Sequence, residues 1–196
     1  MGNPWIHVVP YEEAGGRLRE VYEEILRKRG KLAEVHKIHS LNPKSLVAHM
    51  DLYLTLMYGQ TPLTRREREL IGVAVSSANR CTYCVAHHSD ALAVYEKRRD
   101  FLQAIQEKRW DLLEMKDQRI CEFVEKLTLY PWKMKKEDLT PLREVGLSDT
   151  SILDIVQIVA YFNFVNRIVL GLGVPLESIE ERGGYKYGEI TRISLL

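Results

Sequence analysis

At 196 residues, with 45% hydrophobic and 28% charged side chains, the chain has the make-up of a soluble globular domain that buries a core without disulfide staples. A formal net charge of +1, with acids mixed among the basic residues of 17–24 and 65–69 and no basic block interleaved with aromatics, argues against nucleic-acid binding. The opening residues lack a cationic stretch followed by an apolar one, so no signal peptide is expected, and three cysteines are an odd number for a disulfide framework. The expected compartment is the cytoplasm.

Taken in chain order, almost every segment predicts helix. Residues 6–10 read as extended. Leu18, Val21, Tyr22, Ile25 and Leu26 repeat at helical spacing between Gly16 and Gly30. A second amphipathic stretch covers 45–58, opened by Asn42 and Pro43 and closed by Gly59. A third helix covers 64–78, where Thr64 and Glu67 form a capping box ahead of an apolar run. A fourth opens near Cys81 and reaches about Tyr95, and shorter helices are expected over 101–105, 120–129 and 139–145. Gly146 ends one helix and Ser148 caps the next, over 152–170. That helix is apolar on more than one face. It carries Asp154, Gln157, Asn163, Asn166 and Arg167, which favour a buried or subunit-shared helix over a membrane span. The tail over 183–188 reads as a loop. The expectation is one all-α domain over 1–196, with a core over about 10–175 and a C-terminal tail over about 176–196.

The chemistry concentrates at Cys81 and Cys84, a CxxC pair followed by His88. On a helix these three residues fall within an arc of about 60°. His87 lies about 100° from His88, so the geometry selects His88 as the partner of Cys84. The i, i+3 spacing brings the two Cβ atoms to about 5–6 Å, close to the roughly 3.8 Å a disulfide needs. A helix start or an adjacent imidazole lowers a thiol pKa, so Cys81 is expected to gain from the helix terminus and Cys84 most from His88. Glu67 has its capping role. Glu69 stands where the charged turn meets the apolar run, on a stripe with Gly72, Val73 and Ser76 that permits close helix approach. There it could accept a proton or orient His88.

Plainer readings stand beside these. The cysteines could pack as small hydrophobes. Glu69 could form a surface ion pair with Arg65 or Arg66. A zinc site would need two further ligands, which His88 and Cys121 could supply in principle, although no second CxxC or finger-spaced Cys/His pair exists. Cys121 reads as a core residue. His7, His36, His39 and His49 have no assigned role, and His87 reads as structural.

The pattern Glu69-x11-Cys81-x2-Cys84-x3-His88 resembles the active site of the alkyl hydroperoxidase D (AhpD)-like proteins, within the wider carboxymuconolactone decarboxylase family. Residues 75–88 (VSSANRCTYCVAHH) and 161–167 (YFNFVNR) resemble its peroxidase-related branch. The resemblance covers about residues 10–175. It implies an AhpD-like helical bundle, oligomeric as a homotrimer or homohexamer, and reduction of hydroperoxides without cofactor or metal. It also implies an external dithiol or thiol-protein reductant, and neither a nucleic-acid nor a membrane partner. By position, Cys84 would attack the peroxide, Cys81 would resolve, and Glu69 and His88 would relay protons. The better-studied members have a histidine immediately before the second cysteine, where this chain has Tyr83. Other readings are a decarboxylase or lactone-type enzyme of the same family, and a redox-sensing or structural oligomer without turnover.

Overall fold

The computed structural model describes residues 3–182. All regular structure among them is helical. The α-helices are α1 (Gly16–Arg29), α2 (Glu34–Lys37), α3 (Pro43–Tyr58), α4 (Arg65–Ala78), α5 (Thr82–Tyr95), α6 (Arg99–Gln106), α7 (Met115–Leu129), α8 (Thr140–Glu144), α9 (Asp149–Leu172) and α10 (Ile179–Arg182), with short 3-10 turns between some of them. The chain divides into two units, one from Met1–Tyr58 and Ile168–Leu196, the other from Gly59–Arg167. The loop expected over 183–188 lies outside the described residues.

The first unit is built on α1 and α3. Leu18, Val21, Tyr22 and Ile25 line one face of α1, and they pack with Leu46, Val47, Met50 and Leu54 of α3. Gly30 stops α1 in the left-handed region (φ 77°), where its N–H reaches Leu26 O, a conformation that glycine adopts without a Cβ penalty. The buried Arg29 at the end of α1 donates to the Tyr58 hydroxyl at 2.6 Å and the Tyr53 hydroxyl at 3.3 Å. Before the 3-10 turn at Tyr11–Glu13, residues 7–10 form no helix and Pro10 is extended, while Ile6 lies in a bend. Val9 N–H donates to Ser40 Oγ at 3.0 Å, and the Tyr22 hydroxyl donates to Val9 O at 3.0 Å. The single turn of α2 has too few residues to show a helical repeat.

His39 and His49, without a role from the sequence, stack at 5.0 Å with 26° between their ring planes. Burial, with a smaller effect of His39, pushes His49 down to about 3. Burial also lowers His39.

The second unit is organised around α4. Thr64 caps it: its side chain accepts from Glu67 N–H, while the Glu67 carboxylate accepts from Thr64 N–H at 2.7 Å. Every residue from Glu67 to Ala78 is buried, so α4 is the central element, packed by α5, α6 and α7. Charges at its start are neutralised in place. Arg66 reaches Glu96 at 3.0 Å and Asp117 at 2.8 Å, and Arg98 closes the same cluster from Glu96. Arg68 donates to the carbonyls of Leu63 and Gly59.

In α9, the segment 149–167 belongs to this second unit. The whole helix is long and apolar enough to cross a membrane by composition. Asn166 has no exposed surface, however, and donates to Ser76 Oγ on α4. Phe162 lies so close to α4 that a Cβ at Gly72 would stand 2.9 Å from its ring. The small-residue stripe read from the sequence is what allows this approach. Leu153 and Phe164 stay about half exposed.

Two outcomes are expected. Thr64→Ala removes the cap of α4 and should cost about 1 kcal/mol, lowering the melting temperature by about 2–4 °C in a calorimetric scan. The His49 imidazole is held neutral by the fold, so the unfolded chain binds more protons once pH falls below about 6.5. Stability should therefore fall with pH from about 6.5 towards about 3, by up to about 1.4 kcal/mol per pH unit. Melting curves between pH 7 and 5 should show this slope, and His49→Leu should flatten it.

Candidate functional site

The end of α4 and the start of α5 make the site. After Ala78 the chain reverses tightly: Asn79 N–H bonds Val75 O at 3.0 Å, and Cys81 N–H bonds Ser76 O at 2.9 Å. Arg80 takes the left-handed region in between (φ 56°). That reversal sets Cys81 at the N-cap of α5 and Cys84 in its first turn.

Both cysteines are buried, at 0% and 2% exposure, and all three cysteines of the chain are free thiols. Cys84 hydrogen-bonds to Cys81. This bond pulls Cys81 down, backbone N–H groups of Cys84 and Tyr83 add to the effect, and burial opposes it. Cys84 is pushed well up by the same bond, by burial and by the charge on Cys81. Of the two, Cys81 is therefore the more acidic thiol and Cys84 the one that holds its proton more tightly. The helix terminus acts on Cys81 as the spacing suggests. The group that favours charge on Cys84 is different from the one expected: it is the Asn166 amide, hydrogen-bonded to the sulfur. His88 turns its Nδ1 elsewhere.

That target is Glu69, whose carboxylate is fully buried. His88 Nδ1 stands 2.7 Å from Glu69 Oε2, and Arg65 donates to Oε1 of the same carboxylate. The ion pair to Arg65 that the plainer reading allowed is thus present, but buried and shared with a histidine. A guanidinium on one oxygen favours the ionised carboxylate, so the second oxygen is an acceptor for the Nδ1–H of His88. Phe162 meets the His88 ring edge-on at 4.5 Å, which fixes its plane. Glu67 stays with the cap and Lys116, as the sequence separates it from Glu69. His87 lies off this stripe, against the Tyr83 ring at 4.4 Å.

The four candidate residues thus form two pairs, Cys81 with Cys84 and Glu69 with His88, Glu69 on α4 and the other three at and along α5. Such a set can take up a thiol proton, carry a reactive sulfur and close a disulfide. Cys121 is buried on α7, consistent with a core role. Among the described residues no group of three or more His, Cys, Asp or Glu side chains is placed to hold a metal ion. Sequence reasoning offered Arg65 to Glu69 only as a surface ion pair, whereas the pair is buried, and it missed Asn166 as a neighbour of the site. The signal for Asn166 was present: an amide in an otherwise apolar helix has to find a partner.

The family described as PA26 p53-induced protein (sestrin) matches residues 4–191. The AhpD-core structure of a peroxidase-related protein from Ralstonia eutropha JMP134 is similar, with a TM-score of 0.82 and 26% identity, covering 92% of this chain and 96% of that one. The debrominase Bmp8 has the same fold at 20% identity and a TM-score of 0.72, covering 90% of this chain and 96% of its own. An alkyl hydroperoxide reductase of Mycobacterium tuberculosis is 36% identical over 89 residues, 44% of this chain. The chain spans about a quarter of that relative's length, the matched part being 25% of it. With most of its length matched, this chain belongs to the PA26 p53-induced protein (sestrin) family and has the all-helical fold of the AhpD-like, peroxidase-related proteins.

Proposed function

We propose that the protein is a cytoplasmic thiol peroxidase that reduces hydroperoxides through a Cys81/Cys84 dithiol–disulfide cycle. The observation that carries this reading is the buried Glu69–His88 hydrogen bond at 2.7 Å, set beside a hydrogen-bonded pair of free thiols. The likeness to peroxidase-related proteins supports it.

In the proposed cycle Cys84 gives its proton to His88 Nε2 and attacks the terminal peroxide oxygen. The O–O bond breaks, an S–O bond forms, and the alkoxide leaves as an alcohol with the proton from His88. Sulfur is oxidised by two electrons and the peroxide is reduced by two. Cys81 then condenses with the Cys84 sulfenic acid, releasing water and forming the disulfide. An external dithiol attacks at Cys81 and restores both thiols. Glu69 serves here as an orienting acceptor rather than as the base, because Arg65 already compensates its charge. Tyr83 is a poor base at neutral pH, so the relay rests on His88 alone.

One observation favours a second reading, a redox sensor with little turnover: both sulfurs are almost without exposed surface. The Bmp8 debrominase shows that the fold also carries other chemistry. Steady-state kinetics with hydrogen peroxide or an organic hydroperoxide and a dithiol separate the two. Cys84→Ser should abolish turnover with the fold intact. Glu69→Gln should slow it by about 10²–10⁴-fold, through loss of His88 orientation. Equal turnover in wild type and Cys84→Ser would sink the peroxidase assignment.

The exposed Leu153 and Phe164 on α9 support assembly into a homotrimer or homohexamer. Light scattering at micromolar concentration should give the mass of an oligomer, and a monomer would contradict assembly.

A further inference from the structure

The reversal between α4 and α5 places Cys81, yet the side chains that hold this reversal have no part in the cycle above. Its backbone is demanding. Arg80 stands in the left-handed region (φ 56°), which residues with a Cβ rarely adopt and which persists only when the surroundings fix it. The fixing comes from α9. Asn79, the C-cap residue of α4, donates from Nδ2 to Asn163 Oδ1 at 3.0 Å and to Asn166 Oδ1 at 2.9 Å. Asn163 and Asn166 are three positions apart on one helix, so a single amide nitrogen reaches both.

Both acceptors are held in that orientation. Asn163 Nδ2 donates to Val159 O at 3.0 Å, and Arg167 Nη1 donates to Asn163 O at 2.9 Å and Oδ1 at 2.7 Å. Asn166, without exposed surface, donates from Nδ2 to Ser76 Oγ at 3.3 Å. The Ser76 carbonyl in turn accepts Cys81 N–H at 2.9 Å. The last turn of α4 is therefore tied to α9 at residues 76 and 79, and the bond that places Cys81 starts from the first of these points.

A disulfide between Cys81 and Cys84 needs their Cβ atoms about 3.8 Å apart. Ordering the backbone for that closure costs conformational entropy. A reversal that is already clamped has lost this freedom beforehand, so closure costs less. The equilibrium constant for oxidation of the pair rises, and its reduction potential falls.

We propose that Asn79 is a positioning residue for the dithiol–disulfide step: by clamping the reversal to Asn163 and Asn166 it holds Cys81 ready to close on Cys84. This rests on the reading of the two cysteines as a redox pair. In the test reaction two S–H bonds of the protein break and one S–S bond forms. Two electrons and two protons pass to glutathione disulfide, which becomes two thiols.

The whole chain is equilibrated in mixtures of reduced and oxidised glutathione, and the fraction of Cys81–Cys84 disulfide is read by peptide mass spectrometry after acid quenching and alkylation. No peroxide enters this measurement. Asn79→Ala removes the double donor. It should lower the equilibrium constant for disulfide formation about tenfold, a rise of about 30 mV in potential. Asn163→Ala removes one of the two acceptors and should shift the potential in the same direction by less. Leu142→Ala opens a cavity at a fully buried position on α8 outside this network. It should lower the melting temperature and leave the potential in place. A merely structural Asn79 would behave like Leu142, so an unshifted potential in folded Asn79→Ala, or an equal shift in Leu142→Ala, overturns the proposal. Should Asn79→Ala fail to fold, Asn163→Ala decides, an unshifted potential again counting against it. A wild-type pair that stays reduced in excess glutathione disulfide rejects the redox pair and the positioning role together. Potentials that shift as expected while peroxide leaves the wild-type thiols untouched uphold the positioning role and reject the peroxidase reading.

Discussion

Glu69 is a carboxylate with no exposed surface, in the middle of a helix whose residues from Glu67 to Ala78 are all buried. Placing a charge there is costly unless it is paired and fully hydrogen-bonded. Arg65, one turn earlier, and His88, from α5, meet that requirement on separate oxygens. Much of the second unit follows from it. The cap at Thr64 fixes where α4 begins, and so where Arg65 and Glu69 stand on it. Gly72, one turn on, lets Phe162 in to hold the His88 ring. The tight reversal at Arg80 then returns the chain so that Cys81 starts α5 and His88 comes back alongside Glu69. Removing one partner from a buried pair of this kind typically costs about 3–5 kcal/mol, so the relay and the stability of α4 are coupled.

The two sulfurs obey a related constraint. Two buried thiols in contact cannot both ionise cheaply; the hydrogen bond from Cys84 and, after it, the backbone N–H groups at the α5 terminus make Cys81 the more acidic. They favour Cys81, while Asn166 alone supports charge on Cys84. The site is thus asymmetric before any substrate arrives. One sulfur is the more acidic, and the other needs help to lose its proton.

Most helices were legible because their signals are local. The apolar repeat of Leu18, Val21, Tyr22 and Ile25, the Thr64/Glu67 box and the glycine at 30 each act within a few residues, and the structure places α1 and α4 to within a residue or two of the reading. The stripe of Cys81, Cys84 and His88 was legible for the same reason, since one helix carries all three. Its energetics were less so. Glu69 was offered as the group that could orient His88, and it does stand against it, but the neighbour of Cys84 on α9 was not foreseen, because contacts across helices leave no periodic trace. The division of the chain at Tyr58 and Arg167 also left no mark in composition, because α9 runs through that boundary unbroken. The stacked pair of His39 and His49 escaped notice because their ten-residue separation spans two elements.

The central claim is that Cys81 and Cys84 form one redox unit. The most direct measurement is the mass of the peptide spanning both cysteines, before and after one equivalent of hydroperoxide, with and without a dithiol. The account predicts loss of two hydrogen atoms confined to that peptide, reversal by the dithiol, and no change at Cys121. Oxidation at Cys121 instead, or two unmodified thiols after peroxide has been consumed, would contradict it.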